Sequence, residues 1–157
     1  MRTDDLTELF RKLGAPNPAE WARSQRDENL PQLARFLFLR EAWKLVVADD
    51  DPSWIRDRIA DDPSGPGGEI VPALKRLLVA GVTGADLTTV VRIMQWRVLF
   101  GLCLLLDAPP SLEEEVKDIA WRLFQVDEDE RPTIAITGVH ESVLETDPTG
   151  REMGPRN

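Results

Sequence analysis

Apolar residues recur every three or four positions along most of this chain, and Pro, Gly and Asp cluster in the breaks between those stretches. That period predicts helices. Thr3 to Leu13 sets Leu6, Leu9, Phe10 and Leu13 on one face and closes at Gly14. Asn17-Pro18-Ala19-Glu20 is a start signal: an Asn cap, Pro at the first helical position and Glu at the third. The helix it opens runs to about Arg26 and offers Trp21 to the core. Leu30-Pro31 opens a longer helix to about Ala48. Its apolar surface is Leu33, Phe36, Leu37, Trp43, Leu45 and Val46, and its polar stripe is Arg35, Arg40, Glu41 and Lys44. Asp51-Pro52 starts a short fourth helix with Trp54, Ile55 and Ile59 inward. Residues 61–68 (DDPSGPGG) form a loop, because Pro and Gly break regular structure. A fifth helix, Glu69 to Ala80, stops at Gly81.

The longest predicted helix runs from Thr83 to Asp107. Thr83 is its N-cap, and Asp86 suits the positive end of the helix dipole. Leu87, Val90, Val91, Met94, Val98, Leu102 and Leu105 keep helical spacing and are predicted as its core face. Thr88, Arg92 and Gln95 line a more polar face. From Val98 to Leu106 every residue is apolar or Gly. That run is bounded by Arg97 and Asp107 and is short of the ~20 apolar residues a membrane span needs. The expectation is therefore a buried central helix packed against the helix Pro31 to Ala48. Gly101, at a position where Gly costs about 0.5–1 kcal/mol relative to Ala, marks the place where a neighbouring helix crosses closely.

After Pro109-Pro110, Ser111-Leu112-Glu113-Glu114 has the form of a capping box. Leu112, Val116, Ile119 and Leu123 keep helical spacing beyond it, while Trp121 to Val126 has the composition of a strand. With the charged stretch Asp127 to Pro132 and the run Thr133 to Thr137, the pattern favours a hairpin. Val139 to Glu145 adds a helical turn, and residues 146–157, rich in Pro, Gly and charge, read as a tail. The expected fold is mainly α: a single-domain bundle of six or seven helices over residues 1–145, with a small C-terminal β-hairpin.

Charge changes the picture next. The chain has 28 acidic and 19 basic residues and a formal net charge of -9. Such a surface repels nucleic acid and suits a basic partner. The 15 Arg against 4 Lys, with frequent Ala, Asp and Pro, fit a high-GC bacterial origin. The lone cysteine, Cys103, has no partner for a disulfide within the chain and lies in the most apolar run, where a thiol is inert packing. The start, MRTDDLTELF, has no apolar core of a secretory signal, so the expected compartment is the cytoplasm.

Candidate chemistry is sparse. Asp49-Asp50-Asp51 and Asp127-Glu128-Asp129-Glu130 concentrate carboxylates, but neither has the alternating ligands and central Gly of a calcium loop. One His and one Cys do not assemble a zinc site of the usual kind, and no metal or other cofactor is expected. No phosphate-cradling loop or nucleophile elbow is present in the sequence. His140 stands beside Glu141 and Ser142, and adjacent residues on a helix do not face one another, so a catalytic role needs a carboxylate from another segment. Arg92, Gln95, His140 and Glu141 are the candidate pocket residues.

Three resemblances bear on function. Leu77-Leu-Val-Ala-Gly81-Val-Thr83, with Leu87 and Val90, resembles a helix-turn-helix, which implies DNA binding. Leu77 stands where that family has a small residue, Asp86 faces phosphate, and Arg92 is the only early cation, so a plain helical hairpin is the favoured reading. Residues 121–127 (WRLFQVD) and 140–153 (HESVLETDPTGREM) resemble the C-terminal part of small bacterial proteins of no assigned activity. That resemblance weakens the reading of residues 146–157 as a loose tail, since Thr146 to Gly150 is a compact turn sequence that leaves Arg151, Glu152 and Met153 able to dock onto the body. In type, an acidic single-domain protein without catalytic signatures resembles the immunity proteins that neutralise basic toxins.

The sequence reading is therefore a non-enzymatic cytoplasmic protein that binds another protein. The expected partner is basic, met by Asp49, Asp50, Asp61, Asp62, Asp127, Glu128, Asp129 and Glu130. Neither nucleic acid nor membrane is expected as a partner, and a homodimer is open. The alternatives are a helix-turn-helix regulator and an enzyme centred on His140.

Overall fold

Three aromatic rings close the N-terminal core. Phe10, Trp21 and Phe36 sit with centroids 5.7–6.0 Å apart, and two of the three contacts are edge-to-face. They come from the helices α1 (Thr3–Lys12), α2 (Pro18–Asp27) and α3 (Gln32–Trp43). Leu6, Ala15 and Ala22 complete the cluster, and Phe10 and Ala22 are fully buried. The computed structural model describes residues 3–156, so Asn157, the end of the predicted tail, lies outside the described residues. Further along come α4 (Ser53–Ile59), α5 (Ile70–Val79), α6 (Gly84–Asp107), β1 (Leu123–Val126) and β2 (Pro132–Ile136), with 3₁₀ turns at Glu114–Val116 and His140–Ser142. The fold is mainly α, with six α-helices and a two-stranded antiparallel hairpin near the C-terminus.

The chain divides into two compact units. One runs to Lys44 and resumes at Val98; the other is Leu45–Arg97. The division falls within α6. In the Leu45–Arg97 unit, Ile55, Leu74 and Leu87 form the core, with Trp54, Ile59 and Val82 packed against it. The predicted cap of α6 is present: the Asp86 backbone N–H donates to Thr83 Oγ1 at 3.1 Å, and the Thr83 hydroxyl donates to the Asp86 carboxylate. Gly84 packs closely there, and a Cβ would come within 3.2 Å of Pro52 Cβ.

In the other unit β1 and β2 pair with Leu123 opposite Ile136 and a register shift between Phe124 and Val126. The 146–153 stretch docks rather than dangling. Thr146 and Asp147 are buried, the Trp43 indole N–H donates to Val143 O at 3.1 Å, and Asp147 accepts from Thr149 and from the Met153 backbone.

Several sequence expectations need correction. The helix predicted from Ser111 is one 3₁₀ turn, because Val116 and Ile119 are exposed and so short a helix is marginal without tertiary burial. Helix α3 ends at Trp43, leaving Leu45 77% exposed, and Arg35 of its predicted polar stripe is buried. It packs against α2 and β2. The largest correction concerns α6. Val90, Met94, Val98, Leu102 and Leu105, predicted as core, are exposed, as are Ile93 and Leu104. Leu87 of the predicted face is buried, against Ile55 and Leu74, and the side turned inward carries Thr88, Arg92, Leu99 and Cys103.

Candidate functional site

The inward side of α6 is inverted because backbone polar groups need partners more than methyl groups need cover. After α3 the chain leaves regular structure, and Val47 has no ladder to join. Arg92 Nη1 donates to Val47 O at 2.7 Å, and the Val47 N–H donates to Gln95 Oε1 at 2.8 Å, so one residue of irregular chain is gripped at both ends. Arg92 Nε lies 3.5 Å from Asp49 Oδ1, and the Arg92 side chain is almost fully buried. Thr88 is likewise engaged: Trp54 Nε1 donates to its hydroxyl oxygen at 2.9 Å, and the hydroxyl donates to Gly84 O. The face predicted as solvated is thus the one that ties the helix down.

Near the end of α6 the His140 backbone N–H donates to Asp107 Oδ2 at 2.8 Å, and His140 Nδ1 lies 2.6 Å from the same oxygen. A carboxylate only accepts, so Nδ1 carries the proton. Asp107 is 6% exposed at its side chain, and Phe100 meets the imidazole edge-on at 6.2 Å. Burial works against the charge on Asp107, and the hydrogen bonds from His140 outweigh it, holding its pKa below the 3.8 of a free aspartate. A carboxylate from another segment therefore orients His140. Yet Cys103, one turn before Asp107, is buried and its thiol is pushed up to about 11, so it supplies no thiolate at neutral pH. The pair fastens the 3₁₀ turn at 140–142 to α6.

A depressed carboxylate pKa contributes stability that is present above the unfolded value and lost as pH falls through the folded one. Asp107→Asn is expected to lower stability by about 2 kcal/mol near neutral pH. The gap to the unsubstituted chain is expected to close below the free-aspartate value of 3.8, as Asp107 itself takes up a proton. Thermal melts of both chains across that range check it; a gap that stays constant with pH rejects the assignment.

The acidic candidates have local duties. Asp49 faces Arg92, and Asp61 pairs with Arg58. Asp62 Oδ1 accepts from the Ser64 N–H, and Asp127 Oδ1 accepts from the Asp129 and Arg131 N–H groups to close the hairpin turn. Asp129 pairs with Arg131, while Asp50, Glu128 and Glu130 are exposed. Of the candidate pocket residues, Arg92 and Gln95 are spent on Val47, His140 on Asp107, and Glu141 approaches Arg35 at Gly138.

The outward side of α6 remains. Seven apolar side chains, Val90, Ile93, Met94, Val98, Leu102, Leu104 and Leu105, are each 41–61% or so exposed, with Arg97 the one charge among them. Their combined exposed area is on the order of 600 Å², at the upper end of what monomers leave uncovered. Gly101 lies within this face, and a Cβ there would meet nothing within 4 Å. Sequence reading located Gly101 as a crossing point, but no helix of the described residues crosses there closely enough to meet that Cβ. The Trp121 indole N–H donates to Leu105 O at 2.9 Å and sets a further half-exposed ring at the C-terminal end of the face.

By length and composition α6 is long and apolar enough to cross a membrane, with a mean hydropathy of 1.6 over its best 18 residues. Only 17% of that window is buried, so it is not the core helix the sequence reading expected. No known family, curated protein or solved structure matches this chain.

Proposed function

We propose that this chain is a non-enzymatic protein-binding module, and that its binding surface is the outward face of α6, occupied by α6 of a second copy. The carrying observation is the row of exposed apolar side chains from Val90 to Leu105 on a helix whose polar side is turned inward. A standard interface buries about 800 Å² per partner, so the uncovered area of roughly 600 Å² is most of one. Gly101 leaves a notch midway, which lets two helix backbones approach closely. The face is apolar apart from Arg97, so most of it is complementary to itself, as a two-fold interface requires. Lipid suits it less well: Arg97 lies on the face, and the opposite side is hydrogen-bonded to the protein body at Thr88, Arg92 and Gln95. A basic partner has less to hold, because five of the eight acidic candidates are engaged in local hydrogen bonds or ion pairs.

Sedimentation of the purified full chain over a dilution series tests the reading. A dimer is expected, and it should tighten as salt rises, since salt screens the repulsion between two chains of charge -9. A chain that stays monomeric at about 100 μM sinks the homodimer reading, because apolar contacts of this area should reach at least that affinity. Flotation with vesicles would transfer the face to lipid, and a complex with a basic protein that weakens in salt would restore the immunity-like reading.

A further inference from the structure

Arg35 is a buried cation with an unsatisfied donor. It is 6% exposed, its Nε is buried without a hydrogen-bond partner, and it forms no ion pair among the described residues. Burying an unpaired guanidinium is costly, and most buried charges are paired. Burial lowers its pKa, and the field of Glu141, the nearest compensating charge, offsets part of that. Glu141 stops short of contact. Arg35 Nη2 and Glu141 Oε2 lie 2.8 and 3.0 Å from the point a Gly138 Cβ would occupy, beside a backbone held at φ +67°.

Arg35 lines a cleft of about 280 Å³. Two further orphans line it. Gln32 donates through Nε2 to Ser24 Oγ at 2.7 Å, while its Oε1 is buried with no partner. The Trp21 indole N–H approaches Glu145 without closing a hydrogen bond. Three carboxylates complete the walls: Glu20, Glu141 and Glu145. Burial raises the pKa of Glu145, and Glu20 beside it adds to the rise. The lining therefore holds one cation without an ion-pair contact among the described residues and three carboxylates.

We propose that this cleft binds a small zwitterion of the α-amino-acid class, with its carboxylate on the Arg35 guanidinium and its ammonium toward Glu141 and Glu145. A guanidinium fork is built for a carboxylate, and the charge-assisted bonds would answer the most costly orphan. A plain anion such as phosphate would meet three carboxylates, and a plain cation would meet Arg35. A metal ion is disfavoured, because no three His, Cys, Asp or Glu side chains among the described residues are placed to hold one. The size agrees: the cleft falls just below the ~300–1,000 Å³ typical of sites for drug-sized ligands. Gln32 Oε1 and the Trp21 N–H then serve as one acceptor and one donor that fix the ligand's orientation.

The test uses the ¹⁵N-labelled full chain and the twenty common amino acids, added singly. Acetate and methylamine serve as probes with one charge each. The assigned Trp21 indole resonance is followed, with calorimetry in parallel. At least one amino acid is expected to give a saturable shift below about 10 mM, with acetate and methylamine giving none. Glu141→Gln, at an exposed side chain, should weaken binding about tenfold by removing a charge-assisted bond. Arg35→Lys should weaken it too, since Lys keeps the charge and loses the fork. If Arg35→Lys does not fold, Glu141→Gln decides alone. The proposal is overturned if no amino acid gives a saturable shift, if acetate matches the best of them, or if Glu141→Gln binds as the unsubstituted chain does.

Discussion

Glutamate at both Val98 and Leu102 is expected to turn the dimer into a monomer, raising its dissociation constant by about three orders of magnitude, or about 4 kcal/mol. The two side chains are 61% and 54% exposed in the single chain, so the substitutions cost the folded monomer little. In the dimer each would bury an unpaired carboxylate at the centre of an apolar contact, where binding energy concentrates. The double variant should therefore sediment as a monomer with an unchanged circular dichroism spectrum and melting temperature. Gly101→Leu adds apolar area yet fills the notch, and it should weaken the dimer as well. That second variant separates helix crossing from general stickiness, because stickiness or lipid binding would increase with the added side chain. If Gly101→Leu tightens self-association, the close-crossing geometry is wrong.

Phe10→Ala is expected to cost about 3–5 kcal/mol, the largest stability effect of any single truncation in the N-terminal cluster. Phe10 is completely buried and touches both other rings of the triad, Trp21 and Phe36, at 6.0 Å. Truncation removes those contacts and leaves a cavity that helices linked by short turns close only in part. Since total stabilities of such domains are about 5–15 kcal/mol, this variant should melt at a much lower temperature or fail to fold. Urea unfolding measures it, and a loss under about 1 kcal/mol would mean that the aromatic triad is not the organising core of that unit.

Local signals were legible along the chain where the governing interaction is itself local. Pro18 at the start of α2, the Thr83 and Asp86 cap of α6, and the charged turn between β1 and β2 all act within about four residues. Burial is a different matter. The apolar face of α6 was readable as a face, but its direction was not. Val90 and Met94 look like core by hydropathy, and Arg92 and Gln95 look like surface. The reversal comes from Val47, whose backbone N–H and C=O have no other partner among the described residues, and nothing in the spacing of residues 83–107 encodes that need. For the same reason His140 could be singled out from the sequence while Asp107, which orients it from 33 residues away, could not. Arg35, whose period placed it on a polar stripe, is buried where α2, α3 and the 138–145 segment meet.

The sequence by itself determined the class of fold, the order of the helices from α1 to α6, the hairpin and the acidic charge. These follow from periodicity, capping and composition, which are short-range or additive. Only the tertiary structure decided which face of α6 looks outward, that the 146–153 segment docks through Asp147, and that Arg35 is buried with its Nε left without a hydrogen bond. Each of those depends on pairing polar groups that are distant in sequence, and satisfying a buried hydrogen bond can outweigh the burial of a few exposed methyl groups.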